Sequence, residues 1–161
     1  MQKERSKEYN DSMIEAFIDK PEETLWYQMA FSKFNINGVD KLTWHWSWWA
    51  FGGGFLFLLY RKVYIPALIL FFLSMTVGMI PFVGLLLMIL SGGYSTYFVY
   101  KLYKTKLLEI ENAIEDEQTR IDTMRELGGY NQWVVWVYAA FMSIIFLAIF
   151  SAILIPLLAT S

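Results

Sequence analysis

The longest uncharged stretch of this chain contains 38 residues, from Val63 to Tyr100. Five cations flank it, two before it and three after it: Arg61, Lys62, Lys101, Lys104 and Lys106. An α-helix rises about 1.5 Å per residue and the apolar core of a bilayer is about 30 Å thick, so this stretch is long enough to cross a membrane twice. The pattern predicts a hairpin of two transmembrane helices over residues 63–100, with its turn near Gly78 and the flanking cations in the cytoplasm.

A second uncharged stretch forms the C-terminal part of the chain, residues 131–161. Trp133, Trp136 and Tyr138 lie near its start, where aromatic side chains anchor a helix at the membrane surface. We expect one further transmembrane helix here, which places the C-terminus outside the cell.

A third uncharged stretch, Leu42–Tyr60, is ambiguous. Its length suits a crossing, but it opens with four tryptophans in six residues and carries three consecutive glycines, Gly52 to Gly54. Indole rings prefer the headgroup level and glycines are poor helix formers. We therefore interpret residues 42–62 as an aromatic re-entrant or interfacial segment with both ends on the cytoplasmic side. A fourth crossing is the alternative.

The charged parts of the chain predict cytoplasmic amphipathic helices. Residues 1–41 form a helical region with one helix over residues 11–18 and another to about Phe34, begun by Asp19 as a cap and Pro21 in the first turn. Residues 101–130 form a charged helix that ends at Gly128-Gly129. Its apolar stripe is expected to pack on the helix at residues 20–34: Leu107, Ile110, Ile114, Ile121 and Met124. The predicted fold is thus an all-α integral membrane protein with three transmembrane helices, one aromatic segment and cytoplasmic amphipathic helices.

Composition narrows the function classes. The chain is 57% hydrophobic and 17% charged, with a net charge of −2 and no cysteine. Nothing favours nucleic-acid binding, because no basic patch interleaves with aromatics in a polar region. Disulfides and thiolate metal sites are excluded. The single histidine, His45, lacks a second ligand for a metal, and no catalytic motif is present, so we predict no cofactor and no enzymatic activity.

One block of sequence resembles a known family. Residues 48–64 match its aromatic-to-Tyr-Arg-Lys pattern at eight positions: Trp48, Ala50, Phe51, Gly54, Tyr60, Arg61, Lys62 and Tyr64. Ser47 stands where the family has Asn, and Phe57 where it has Trp. The block is similar to that of a small bacterial integral membrane family labelled domain of unknown function 2628. The resemblance implies a multi-pass protein of the bacterial inner membrane and implies no activity.

Two groups of residues are candidates for interactions. The first could contact lipid headgroups or the membrane interface: Trp44, Trp46, Trp48, Trp49, Tyr60, Arg61, Lys62 and Tyr64. The second consists of small residues that could pack helices: Gly92, Gly93, Ala140, Ser143, Ala148 and Ser151.

Three functions follow from these features. We expect a non-catalytic scaffold, an accessory subunit or assembly factor whose partners are membrane lipids and another membrane protein or a second copy. A small oligomeric channel or transporter component, built around Ser91–Tyr97, is the alternative. Binding of lipid headgroups is a third and weaker possibility.

Overall fold

The computed structural model describes residues 7–36, 38–80 and 82–159, with side chains as far as Ile153. Asn37 and Pro81, both predicted in turns, lie outside the described residues. Eight helices and one two-stranded hairpin occur in the described part: α1 Lys7–Ile18, α2 Pro21–Phe34, β1 Asn35–Ile36, β2 Val39–Asp40, α3 Trp48–Gly53, α4 Phe55–Tyr60, α5 Tyr64–Thr76, α6 Val83–Ala113, α7 Glu117–Leu127 and α8 Gln132–Ala159. The described residues are mostly helical, as predicted, and the short hairpin of β1 and β2 is the exception.

Within the described residues, two helices, α6 and α8, are long and apolar enough to cross a membrane. Their environments differ, because 39% of the most apolar window of α6 is buried in the protein and only 6% of that of α8. The core helix of a soluble protein would be mostly buried, so the exposure of α8 favours a lipid environment. Helix α5 is apolar but has 13 residues, which extend about 20 Å.

The boundary predicted at Lys101 is not a helix boundary. α6 continues from the apolar region through Lys101 to Ala113, and the charged region is divided instead at Ile114–Asp116. Charged side chains do not interrupt a helix, since Lys and Glu are good helix formers. Asp116 begins α7, and its carboxylate accepts a hydrogen bond from the backbone N–H of Thr119 at 2.7 Å.

The charged half of α6 packs with α1, α2 and α7. The predicted apolar stripe does face this core: Leu107, Ile110 and Met124 are buried, and Ile114 and Ile121 pack partly buried against it. The Phe31 ring stacks on Tyr103 at a centroid distance of 5.2 Å. Helix α1 begins earlier than predicted, at Lys7, and is the main partner of α7.

The predicted cap of α2 is wrong. Asp19 has a φ of +52° and its backbone N–H donates to the Glu15 carbonyl, so it ends α1 in the left-handed conformation. Lys20 occupies the N-cap position of α2 without a capping side-chain hydrogen bond, while Pro21 lies at the start of the helix as predicted.

The aromatic segment consists of an extended stretch to Ser47 followed by two six-residue helices, α3 and α4. Gly54 separates them with a φ of +52°, a conformation that glycine adopts without a steric cost. Both ends of the segment contact α2: the His45 ring lies 4.8 Å from that of Trp26, and the Arg61 guanidinium bonds Tyr27.

Candidate functional site

The extended stretch that carries Trp44 and Trp46, here called the tryptophan stretch, lies along α6 at Gly92 and Gly93. The backbone N–H groups of His45 and Ser47 donate to the carbonyls of Gly93 and Gly92, at 3.0 and 2.8 Å. A Cβ at Gly92 would lie 2.9 Å from the Trp46 ring, and one at Gly93 would overlap the ring of Trp44. These glycines therefore allow the indoles to approach the backbone of α6 closely, and Gly92 also lies against Phe51 of α3, where a Cβ would come within 3.0 Å.

The small polar residues of α6 are covered by α3. Ser91, Ser95 and Thr96 are all buried, and the Ser91 hydroxyl donates to the Ala50 carbonyl at 2.9 Å. Ser91 and Ser95 share a hydrogen bond at 3.0 Å. The hydroxyls of Ser91 and Ser95 are thus bonded within the chain, whereas that of Thr96 is buried without a hydrogen-bond partner among the described residues.

Arg61 does not face a lipid surface, and its prediction as a headgroup ligand is wrong. Its side chain is almost completely buried, and its guanidinium forms an ion pair with Glu23. It also donates to the Tyr27 hydroxyl and to the Ile18 carbonyl, each at 3.0 Å. Because the guanidinium is buried and bonded to three partners inside the protein, an external phosphate cannot reach it.

Lys62 and Tyr64, which follow Arg61 in the sequence, form hydrogen bonds with residues near the start of α8. Lys62, with a φ of +60°, donates from Nζ to the Gly128 carbonyl, and the Tyr64 hydroxyl accepts from Nδ2 of Asn131 at 3.2 Å. Asn131 also donates to the Leu59 carbonyl at 2.7 Å. These bonds join α4 and α5 to the start of α8. Sequence reasoning missed Asn131, Tyr27 and Glu23 as partners, because 34 to 72 residues separate the bonded groups.

Two of the four tryptophans in residues 42–60 are largely exposed. Trp48 and Trp49 are 73% and 78% exposed, whereas Trp46 is mostly covered and Trp44 is half-exposed. Tyr60 packs against the Tyr130 ring at a centroid distance of 5.1 Å. Trp48 and Trp49 therefore keep the character of interface anchors.

The small residues of α8 are all exposed: Ala140, Ser143, Ala148 and Ser151. Ser143 donates its hydroxyl to the Ala139 carbonyl of its own helix at 2.8 Å. Among the described residues α8 packs against α4 near its start, and from Ala139 to Ile153 its side chains are exposed apart from a half-buried Ile145. Within the described residues these small side chains are therefore left uncovered.

A cleft of about 520 Å³ opens between α2, the tryptophan stretch, α4 and the first turns of α8. Lys20, Glu22 and Glu23 lie at one end, and aromatic and aliphatic side chains form the remaining wall. Its volume is in the range of small-molecule sites, about 300–1,000 Å³.

A cluster of charges joins the β-hairpin to α6. The Asp40 carboxylate accepts hydrogen bonds from the Tyr100 hydroxyl at 2.6 Å, from Lys101 at 3.0 Å and from Lys104. Burial alone would raise the pKa of Asp40, but the hydrogen bonds from Lys104, Tyr100 and Lys101 outweigh it and lower the pKa to about 2. At Tyr27 burial dominates and raises the pKa to about 12, although Arg61 acts in the opposite direction.

The described residues contain no group of three or more His, Asp or Glu side chains able to hold a metal ion. No family model, no curated protein and no solved structure matches this chain. The resemblance of residues 48–64 to the family of unknown function thus stays a prediction.

Proposed function

We propose that this protein is a non-catalytic scaffold of the membrane, an accessory subunit or assembly factor that binds another membrane protein or a second copy of itself. The observation that carries the proposal is the exposed C-terminal half of α8. Its small residues lie within an arc of about 140° around the helix, since each residue turns about 100°. Small residues on one face let a second helix approach closely in lipid, where helix association depends on packing.

The proposal includes a topology with three membrane crossings and the N-terminus in the cytoplasm. α8 supplies one crossing, and the hairpin of α5 and α6 supplies two. α5 and the following turn to Ile80 extend about 25 Å at helical rise, a few ångströms less than the bilayer core, and local thinning compensates such a mismatch at modest cost. The contact of both ends of the aromatic segment with α2 supports a re-entrant path for residues 42–62.

The channel alternative has weaker support. Its pore would be lined by Ser91–Tyr97, but the hydroxyls of Ser91 and Ser95 are buried and bonded within the chain. A water-filled path in a membrane protein needs polar side chains on the face that lines it. Opening such a path would require the packing contact between α3 and α6 to break. The bacterial inner membrane is the proposed location, on the strength of the resemblance at residues 48–64.

The proposal is tested by extraction of the native protein in a mild detergent, followed by determination of the mass of the particle. We expect a particle larger than one chain. Ala140→Leu, on the small face, should reduce it to the monomer, and Ala139→Leu, an exposed neighbour about 100° around the helix, should not. Recovery of the wild-type chain as a monomer with no associated protein would refute the scaffold.

A further inference from the structure

The cleft between α2, α4 and α8 is amphipathic along its length. Leu56, Phe57, Val134 and Val135 line its apolar wall, and Val134 itself is buried. The charged end is formed by the first turn of α2 and the residue before it. A ligand that fills this cleft must therefore be apolar at one end and charged at the other.

The charged end of the cleft, here called its mouth, is formed by Lys20, Glu22 and Glu23. These charges determine which kind of ligand headgroup the cleft can bind. Glu23 is neutralised by Arg61 and by Lys20, whose Nζ lies 3.2 Å from Oε1 of Glu23. Glu22 is 69% exposed, and its contact with Lys20, at 4.0 Å, is at the limit of an ion pair. The mouth thus offers one loosely paired carboxylate, which attracts a cation.

Aromatic rings line the same cleft and suit the same cation. Trp26, Trp48 and Tyr60 are part of its lining together with Glu22. An ammonium is attracted to the face of such a ring within about 6 Å of its centroid. Lys20 already makes this contact at the edge of the cleft, because its Nζ lies 5.6 Å from the Tyr60 ring and 4.9 Å from that of Tyr130.

We propose that this cleft binds one phospholipid with a primary-ammonium headgroup, of the phosphoethanolamine class. The ammonium lies between Glu22 and the aromatic rings, and one acyl chain follows Leu56, Phe57 and Val135. This inference goes beyond the scaffold function and rests on the chain being embedded in lipid. It differs from binding of anionic headgroups at Arg61, whose side chain is buried.

The test is native mass spectrometry of the full-length protein in detergent, titrated with phosphatidylethanolamine or with phosphatidylglycerol of identical acyl chains. We expect one phosphatidylethanolamine per chain, bound at least fivefold more tightly than phosphatidylglycerol. Glu22→Gln should bring the two affinities within twofold of each other. Glu15→Gln, an exposed change on α1 outside the cleft, should leave the preference intact.

A second pair of variants tests the place of binding. Val135→Trp puts an indole into the cleft and should weaken binding of phosphatidylethanolamine at least fivefold. Val137→Trp, at a similarly exposed valine of α8 outside the cleft, should have no effect. Equal affinity of the wild type for both lipids, or the same effect of both valine variants, would overturn the proposal. These results are independent of the particle mass that tests the scaffold, so failure of one proposal is distinguishable from failure of the other.

Discussion

Arg61 Nε donates a hydrogen bond to the Tyr27 hydroxyl at 3.0 Å, and both side chains are almost fully excluded from solvent. The bond joins the end of α4 to the middle of α2. The Arg61 guanidinium also lies 4.7 Å from the centre of the Tyr27 ring. Two segments that are 34 residues apart in the chain are therefore held together by one buried cation.

Removal of this cation should be the most damaging single polar change in the protein. Arg61→Gln should lower the free energy of unfolding by about 3–5 kcal/mol, because breaking a buried pair leaves its partners unsatisfied. Tyr27→Phe should cost about 1–2 kcal/mol, since one hydrogen bond is lost and the ring remains. Denaturant titration in mild detergent measures both changes. A loss below 1 kcal/mol for Arg61→Gln would contradict the structural role of this residue.

The glycines of α6 give a prediction about the aromatic segment. Gly92→Val should lower the free energy of unfolding by about 1–3 kcal/mol, because the new side chain collides with Trp46 and Phe51. Gly52→Ala is the control, since its Cβ would meet only the Tyr138 hydroxyl within 4 Å, at 3.7 Å. Equal stability of the two variants would show that the tryptophan stretch does not lie against α6.

The Asp40 cluster predicts a dependence of stability on pH. The folded-state pKa of about 2 is below the ordinary value of 3.8, so the ionised carboxylate stabilises the fold above pH 4. That contribution is lost as the pH falls from about 4 to about 2. Asp40→Asn should therefore cost about 1–2 kcal/mol at pH 7, a figure reduced for the exposure of Lys101 and Lys104, and almost nothing near pH 2.

The measurement is the difference in unfolding free energy between wild type and Asp40→Asn, taken at pH 7 and again at pH 3 and below. Asp122→Asn, at an exposed carboxylate of α7, controls for the general effect of removing one negative charge. A difference that stays constant across this range, or grows on acidification, would be inconsistent with a lowered pKa at Asp40.

Local signals predicted much of this fold from sequence. The Pro21 start, the Gly128-Gly129 stop and the uncharged stretch of α8 are properties of neighbouring residues, and the structure has all three. The break at Ile114–Asp116 also had a local signal, since Asp116 is followed three residues later by Thr119, but the apolar stripe that continues past it gave a stronger indication of one helix.

The environment of Arg61 had no such signal. A basic pair after an apolar stretch is typical of a membrane boundary, and Lys62 and Arg61 follow that pattern. Burial of Arg61 depends on Glu23, Tyr27 and the Ile18 carbonyl, which come from a region far away in sequence. The cleft was missed for the same reason. Its lining residues come from α2, α4 and α8, and no single one of these segments indicates a cleft.

The proposed three-span path through the membrane can be tested with single cysteines, because the chain has none of its own. Val39→Cys, Met79→Cys and Ser161→Cys are placed one at a time and exposed to an impermeant maleimide on intact bacterial cells. Met79 and Val39 are exposed in the structure, and Ser161 lies outside the described residues. We predict labelling of the variants at positions 79 and 161 in intact cells, and of the variant at position 39 only after permeabilisation. Labelling at position 39 from outside, or protection of position 79 under both conditions, would contradict the account.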